Sequence, residues 1–460
     1  MVRNAAPYEL GTTPTGIVDS GIAMKDLKRA ITEPRVLALV DQCVLSGSNF
    51  LSVLFVSRQV SVDDFGLFSL ALLGVLFISN LHRAFLTQPL NVLGASEGET
   101  DLSTRMTVLL RVHIVIVPVS IVLLAALSAG FFPDVRLLLS AACYLGAFLL
   151  QETLRRYWYT IGRLDRALAN DLISYIGQLI LRLAFSAFIT VDGADALFIM
   201  AATSLIAFLF GLRNVKLAHV VGASRTRAVV EQHWTMSGWL ILTVLALWGA
   251  NQLYPFMLAG ISHAAIAYFA VSRNLLSAIG VGVQAVLNYL PTRTAALLNQ
   301  QGEAEFRRHM MRTLAASSAV SITFLALIQI FAEPILHVLY RGLYDDAAPL
   351  VRILSAGVFF SLLGAVFGSY ALALQDARST FLANLGGTVF TFTGGLWLLH
   401  AYGIYGAAIA TCLSLATAAL LQGCFVLRDL KHLKARSKAW LSAQPSTPPS
   451  PRDAQAREIC

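Results

Sequence analysis

Polar and charged side chains recur at helical spacing inside the most apolar segments of the chain. In two segments the intervals are four, three, four and four residues, which places each set on one narrow helix face. The sets are Arg273, Ser277, Gly280, Gln284, Asn288 and Asp171, Tyr175, Gln178, Arg182, Ser186. Such a face either bonds a neighbouring helix or lines a hydrated cavity. Because a central arginine costs roughly 2.5–3.5 kcal/mol in a bilayer, Arg182 and Arg273 favour the cavity.

Arginines in a cavity indicate an anionic cargo, since the planar guanidinium group binds phosphate through two parallel hydrogen bonds. Arg83 shares a helical face with Asn80 and Thr87 near the end of another apolar segment. Arg58 ends the first apolar segment, where it either serves the cargo or extends to the membrane surface.

The stretch DQCVLSGSNF, residues 41–50, brings unusual polarity into the first apolar segment. On a helix, Asp41, Ser48 and Ser52 fall within about 40°, and Asn49 widens the polar arc. The helical rise places Asp41 only about 8 Å from the cytoplasmic start, with Ser48 and Asn49 near mid-membrane. This helix is predicted to form one wall of a polar path through the membrane.

The elements that position these side chains are membrane-spanning helices. The chain has 460 residues, of which 57% are hydrophobic and 13% charged, and its mean hydropathy is +0.68. A soluble domain needs more charge on its surface, and apolar runs of about 20 residues are long enough to cross a bilayer. We predict an all-α, polytopic membrane protein with about twelve spans. They are Val36–Val60, Phe65–Leu86, Thr107–Phe132, Leu137–Tyr159, Leu168–Val191, Ala194–Leu212, Met236–Ala259, His263–Tyr289, Thr313–Phe331, Ala348–Leu374, Ser379–His400 and Ile404–Leu427.

The seventh span contains a predicted hinge in the sequence GANQLYPFM. Asn251 is polar, and Pro255 removes a backbone hydrogen bond and favours a kink. We therefore expect Asn251 and Pro255 to mark a bend.

The distribution of Lys and Arg predicts the topology. These residues follow the even-numbered spans, which explains the net charge of +8 without nucleic-acid binding. The positive-inside rule then places both termini in the cytoplasm.

A weak internal similarity predicts two six-helix bundles around a central cavity. The expected units are a cytoplasmic N-terminal segment (1–35), an N-lobe (36–232), a C-lobe (233–430) and a disordered cytoplasmic tail (431–460).

Motifs for enzymatic or metal chemistry are missing from the sequence. It contains no Walker A motif, no HExxH motif and no cysteine pairs with metal-ligand spacing. We expect a protein that is not an enzyme, with no cofactor and no metal.

Three stretches resemble polysaccharide exporters of the oligosaccharide flippase (Wzx-like) type, which belong to the MOP superfamily with the MATE exporters. They are DQCVLSGSNFLSVLFVSRQVSVDDFGLFSLAL, LYDDAAPLVRILSAGVFFSLLGAVFGSYALALQDARSTFLANLGG and YGIYGAAIATCLS. The resemblance spans about residues 31–430. It implies two bundles around a cavity that opens alternately to each side of a bacterial inner membrane.

The implied cargo is a polyprenyl-diphosphate-linked oligosaccharide, flipped to the periplasmic leaflet for exopolysaccharide or O-antigen synthesis. A polysaccharide polymerase and a co-polymerase are the expected partners besides the lipid bilayer. The residues expected to bind the diphosphate are Arg58, Arg83, Arg182 and Arg273. Those expected to face the sugars are Ser48, Asn49, Gln178, Gln284 and Asn288.

Moving a charged headgroup requires an ion gradient or trapping by later polymerisation. Asp41, Glu152 and Asp171 are the carboxylates placed to bind H⁺ or Na⁺. The main alternative is an ion-coupled multidrug or cation antiporter, which predicts a cavity rich in carboxylates and aromatics. A membrane polysaccharide polymerase is a further alternative, although such an enzyme would need a larger outer loop.

Overall fold

The computed structural model describes residues 34–95, 97–128, 134–374 and 376–443. Side chains are described for these residues except 34–35, 128, 250, 377, 431–443 and most of 278–303. The described chain is mainly helical and contains no strand. Eight of its helices are long and apolar enough to cross a membrane, judged by length and composition.

The helices follow the predicted spans closely. The N-terminal half contains α1 (Pro34–Gln59), α2 (Val62–His82), α3 (Gln88–Gly94), α4 (Glu99–Ser128), α5 (Val135–Thr160), α6 (Leu164–Asp171), α7 (Gly177–Ser186) and α8 (Gly193–Leu212). The C-terminal half contains α9 (Ala223–Asn251), α10 (Leu253–Leu258), α11 (His263–Tyr340), α12 (Ala348–Ala373), α13 (Ala377–Phe390) and α14 (Leu396–Ala443). Each predicted span lies largely on these helices, which confirms the all-α, polytopic fold class.

Side-chain caps fix several helix starts at one end of the molecule. Ser61 accepts a hydrogen bond from the backbone N–H of Asp64 at the start of α2. Asp192 and Asp195 form a reciprocal capping box at the start of α8. These caps satisfy amide groups that have no partner within the helix, so α2 and α8 begin at defined residues.

Helix α11 contains two spans, because its chain reverses direction. A straight helix of 78 residues would be about 117 Å long. Yet Asn274 Nδ2 lies 3.2 Å from the Tyr340 hydroxyl, near the opposite end. The predicted eighth and ninth spans therefore lie side by side.

Helix α14 is interrupted at Gly403, between the predicted eleventh and twelfth spans. Gly403 has φ 56° and ψ −130°, which residues with a side chain rarely adopt. Three residues later, a Cβ atom at Gly406 would overlap the carbonyl oxygen of Leu398. The two glycines thus allow a tight return of the chain.

Four spans contain a local break in the regular helix. Three have a five-residue π-helical turn, at Arg83–Thr87, Leu172–Ile176 and Thr391–Gly395. The fourth is the seventh span, where Gln252 has φ −124° and ψ 0° between α9 and α10. Such breaks free backbone groups, and π-turns are frequent at functional sites.

One end of the interface between the two halves is tightly closed. Gly66 packs directly against the backbone of His263, and Arg58 Nε donates a 2.5 Å hydrogen bond to the carbonyl of Leu339. The rings of Phe65 and Tyr344 meet with centroids 5.8 Å apart. This closed end carries the predicted extracytoplasmic loops.

Substituting Gly66 tests whether this contact holds the closed end shut. Its Cβ would overlap the carbonyl oxygen of His263, so Gly66→Ala is expected to separate α2 from α11. A cysteine replacing Asn274 in a cysteine-free background should then react faster with an impermeant maleimide added at the closed end. Gly238→Ala is the control, because a Cβ there meets no atom within 4 Å. Equal labelling of the two variants would refute the assignment.

Two of the predicted boundaries between parts of the chain fall within continuous helices. The boundary at residues 232/233 falls inside α9, which begins at Ala223. The backbone of α14 continues to Ala443, beyond the predicted start of the disordered tail. Residues 1–33 and 444–460, which hold most of the two predicted terminal segments, lie outside the described residues.

Candidate functional site

A cavity of about 460 Å³ lies between the two halves of the molecule. Its polar wall contains Asn49 and Ser52 on α1 and Asn274 and Ser277 on α11. Its aromatic wall is formed by Phe50, Phe68, Tyr144, Phe148 and Tyr175. Amide and hydroxyl groups therefore face ring surfaces across the space, an arrangement suited to a ligand with both polar and apolar faces.

A second cavity of about 250 Å³ adjoins the first and also contains Ser277. Arg273 and Asn251 lie in its wall, together with Ser361 and Thr411. Arg273 Nη1 donates a 2.9 Å hydrogen bond to the carbonyl of Asn251. Among the described residues, no carboxylate lies within ion-pair distance of this guanidinium group.

Arg182 is fully buried behind the wall of the first cavity. Its Nη1 donates a 2.8 Å hydrogen bond to the carbonyl of Ser52, a residue of that wall. Its Nε and Nη2 have no partner in the described part of the chain. A buried guanidinium with one hydrogen bond and no counter-charge is energetically unfavourable.

Arg182 lies at the contact between the first and fifth spans, where several buried side chains carry hydrogen-bond donors. Ser52 and Arg182 are in contact and 130 residues apart in sequence, and Ser48 and Gln178 have the same separation. All four side chains are buried. The hydroxyls of Ser48 and Ser52 and Nε2 of Gln178 also have no partner among the described residues.

Nearer to the start of α1, the first and fifth spans are joined by Arg155. Its Nε lies 2.5 Å from Asp171 Oδ2, and its Nη2 lies 3.0 Å from Asp41 Oδ2. Its Nη1 lies 3.4 Å from Glu152 Oε2. The three carboxylates predicted as ion-binding candidates thus surround one arginine. Their side chains are no more than 10% exposed.

Further groups complete this charge cluster. Arg156 Nε lies 2.7 Å from Glu152 Oε1, and the Tyr159 hydroxyl donates to Asp41. Gln151 Nε2 donates to Asp171 Oδ1 at 3.1 Å. Arg83 is exposed nearby, on the second span. Three carboxylates and the guanidinium groups of Arg155 and Arg156 therefore form the cluster.

A solvent-exposed ion pair lies shortly after these residues in the sequence. In the loop after α5, Arg163 donates hydrogen bonds of 2.9 and 2.7 Å to Asp165. These hydrogen bonds lower the pKa of Asp165 below its usual range. Both side chains are about half exposed, so this pair lies in a different environment from Arg155.

The predicted site residues fall into distinct places. Asn49 and Arg273 lie in the cavity walls, whereas Ser48, Gln178 and Arg182 lie just behind one wall. Arg58 lies elsewhere, because its guanidinium binds the carbonyls of Val338 and Leu339 at the closed end. The side chains of Gln284 and Asn288 are outside the described residues.

Sequence reasoning missed two contributors to the site. Arg155 follows Glu152 by one helical turn, but a basic residue near the end of a span is also typical of the signal that sets membrane topology. Asn274 is offset from the polar face that contains Arg273 and Ser277, although it donates to the Phe50 carbonyl at 3.3 Å and lines the cavity.

The predicted bend in the seventh span lies at Gln252, between the two residues proposed for it. Helix α9 ends at Asn251, and Pro255 occupies the first turn of α10, where its missing N–H has no helical partner to lose. Among the described residues, no group of three or more His, Cys, Asp and Glu side chains is arranged to hold a metal ion.

Comparison with solved structures relates this arrangement of helices to known proteins. A multidrug resistance MATE family transporter of the MOP superfamily, in its inward-facing conformation, aligns with a TM-score of 0.69 at 12% identity. The alignment covers 86% of this chain and 96% of that one. The lipid II flippase MurJ, in an inward closed conformation, gives 0.68 at 12% identity over 90% of this chain and 93% of its own.

The chain has the fold of the MOP superfamily transporters. No protein-family model matches its sequence, and no curated protein matches it significantly. An outward-facing MATE structure has a lower TM-score of 0.58, at 12% identity over 89% of this chain and 97% of that one.

Proposed function

We propose that this protein is a membrane transporter that flips a polyprenyl-diphosphate-linked oligosaccharide between the leaflets of a bacterial inner membrane. The observation that carries this proposal is a pair of arginines, Arg182 and Arg273, one in each half beside neighbouring cavities, for which the described residues provide no carboxylate partner. A diphosphate would supply a counter-charge to both guanidinium groups. The protein acts by binding and conformational change, without enzymatic chemistry.

The wall around these arginines suits the rest of the headgroup. Sugars present hydroxyls on their edges and apolar C–H groups on their faces. Asn49, Asn274 and Ser277 offer hydrogen bonds to the former, while Tyr144 and Phe148 offer ring surfaces to the latter. Arg83, exposed near the cytoplasmic end of the second span, is placed to attract the anionic headgroup.

The direction of transport follows from charge and closure. The positive-inside rule assigns the basic loops and both termini to the cytoplasm. The closed end at Gly66 and Arg58 then faces the periplasm, and the cavity receives cargo from the cytoplasmic leaflet. Alternating access would open this end and close the other, with the bend at Asn251, Gln252 and Pro255 as the hinge.

The cluster around Arg155 is the proposed site of ion coupling. Binding of an anionic headgroup near Arg83 and Arg156 would draw these cations away from Glu152. The carboxylates would then favour H⁺ or Na⁺ uptake. Asp41 Oδ1 has no partner among the described residues and is available for such an ion.

Asp41→Asn tests this coupling. We expect the variant to bind cargo normally but to lose the stimulation of flipping by an imposed H⁺ or Na⁺ gradient, because one ionisable group is removed. Flipping should be measured in vesicles with and without each gradient, with Asp165→Asn as the exposed control. If wild-type flipping does not change when both gradients are collapsed, the coupling proposal fails.

Accumulated lipid intermediates in cells distinguish the proposed activity from its alternatives. The Arg182→Ala/Arg273→Ala double variant should abolish surface polysaccharide and accumulate lipid-linked repeat units in the inner leaflet. Accumulation in the outer leaflet would instead support a polymerase. Loss of resistance to organic cations, with polysaccharide unchanged, would support a cation antiporter. The buried carboxylates already pair with arginines, which argues against their binding a bulky organic cation.

A further inference from the structure

A third cavity, of about 370 Å³, lies at the interface between the two halves and is almost entirely apolar. Phe77 of α2 and Leu127 of α4 form one side, and Trp248, Leu253 and Phe392 form the other. The rings of Phe77 and Trp248 pack with centroids 4.9 Å apart. Leu127 and Phe392, both in predicted membrane-spanning segments, are 39% and 51% exposed, so lipid around these segments would have access to this cavity.

The apolar cavity lies beside the arginine-containing one, separated by the bent seventh span. Asn251 belongs to the cavity of Arg273, whereas the next residue, Gln252, belongs to the apolar cavity. Helix α9 ends between the two, and Arg273 binds the last carbonyl of that helix. A cationic site and a hydrocarbon-sized space are thus adjacent across one irregular turn of backbone.

We propose that this apolar cavity binds the proximal part of the isoprenoid chain of the cargo lipid while its diphosphate contacts Arg273. This inference rests on the proposed function and names the subsite for the chain. The cavity's volume of about 370 Å³ lies within the range of roughly 300–1,000 Å³ that is usual for ligand pockets. Its position between the halves means that it changes shape when they rock, which couples the chain to the transport cycle.

Leu253→Trp tests the subsite by filling the cavity beside the bend. In vesicles containing the full-length protein, two lipid-linked oligosaccharides are compared, one with a long isoprenoid chain and one with a chain too short to occupy the cavity. We expect the half-saturating concentration to rise at least tenfold for the long chain and to stay unchanged for the short chain. Leu205→Trp, on a lipid-facing surface away from the cavity, should change neither value.

Photocrosslinking provides a readout that does not require the tryptophan variant to fold. A benzophenone side chain replacing Phe392 should label a long-chain polyprenyl phosphate far more than one replacing Phe210, which is similarly exposed at 46% against 51%. Phosphatidylglycerol should label both positions equally. Equal polyprenyl labelling at the two positions, or preferential phospholipid labelling at position 392, would overturn the proposal.

Failure of the subsite can be distinguished from failure of the proposed function. If the subsite experiments fail while the wild-type protein still flips the lipid, the proposed function stands. If the wild-type protein flips neither lipid, the proposed function itself fails.

Discussion

Arg155→Met is expected to lower the free energy of unfolding by about 3–5 kcal/mol, the largest stability loss that we predict for this chain. The substitution leaves Asp41, Glu152 and Asp171 without their shared cation while they remain buried. Their mutual repulsion and desolvation are then uncompensated, since a carboxylate in a low-dielectric interior needs a partner. Thermal unfolding of the purified protein in detergent measures the loss.

Two further variants separate the buried cluster from ordinary ion pairing. Arg163→Met removes a surface pair with Asp165, which water already screens, and should leave the melting temperature nearly unchanged. Adding Asp171→Asn to Arg155→Met should restore part of the stability, because one buried charge is removed. Equal melting temperatures for the Arg155 and Arg163 variants would contradict the assigned role of the cluster.

Arg182→Met is expected to differ from Arg155→Met, because it should keep the stability of the protein but lose transport. Arg182 is buried with a single hydrogen bond and no counter-charge in the described chain, so methionine removes an unfavourable buried cation. The melting temperature should stay the same or rise. Flipping at low cargo concentration should fall about 10- to 100-fold, because a charge-assisted contact contributes about 1.5–3 kcal/mol.

The matched control is Arg307→Met, since Arg307 is exposed and lies outside the cavities described above. It should change neither property, while Arg182→Lys should recover part of the transport by restoring the charge without the planar geometry. A destabilised Arg182→Met protein would mean that the residue is structural. Unchanged flipping in a stable variant would exclude Arg182 from cargo binding.

The fold was largely predictable because each span carries its own signal. Length and hydropathy located the helices, and Gly403 interrupts the chain between the last two predicted spans. The polar faces of α1 and the fifth span were also visible from helical spacing. Periodicity shows which face of a helix is polar, but it does not show which neighbour that face meets.

The arrangement of the charged side chains could not be predicted from the sequence, because helical periodicity does not show which helices pack together. Asp41, Glu152 and Asp171 come from three spans, and only packing brings them around Arg155. Arg155 itself resembled the basic residues that mark the cytoplasmic side. Arg58 is an example in the other direction. Its position at the end of a span was compatible with cargo binding, but in the structure its guanidinium group binds carbonyls at the end of a helix.

Flipping by the purified protein tests the central claim most directly. The protein is reconstituted into vesicles with a fluorescent polyprenyl-diphosphate-linked oligosaccharide, and transfer between leaflets is followed by its accessibility to an impermeant quencher. We predict transfer well above that of protein-free vesicles, abolished in the Arg182→Met/Arg273→Met variant and unaffected by excess lipophilic cations. Transfer no faster than in empty vesicles, or transfer that persists without both arginines, would contradict the account.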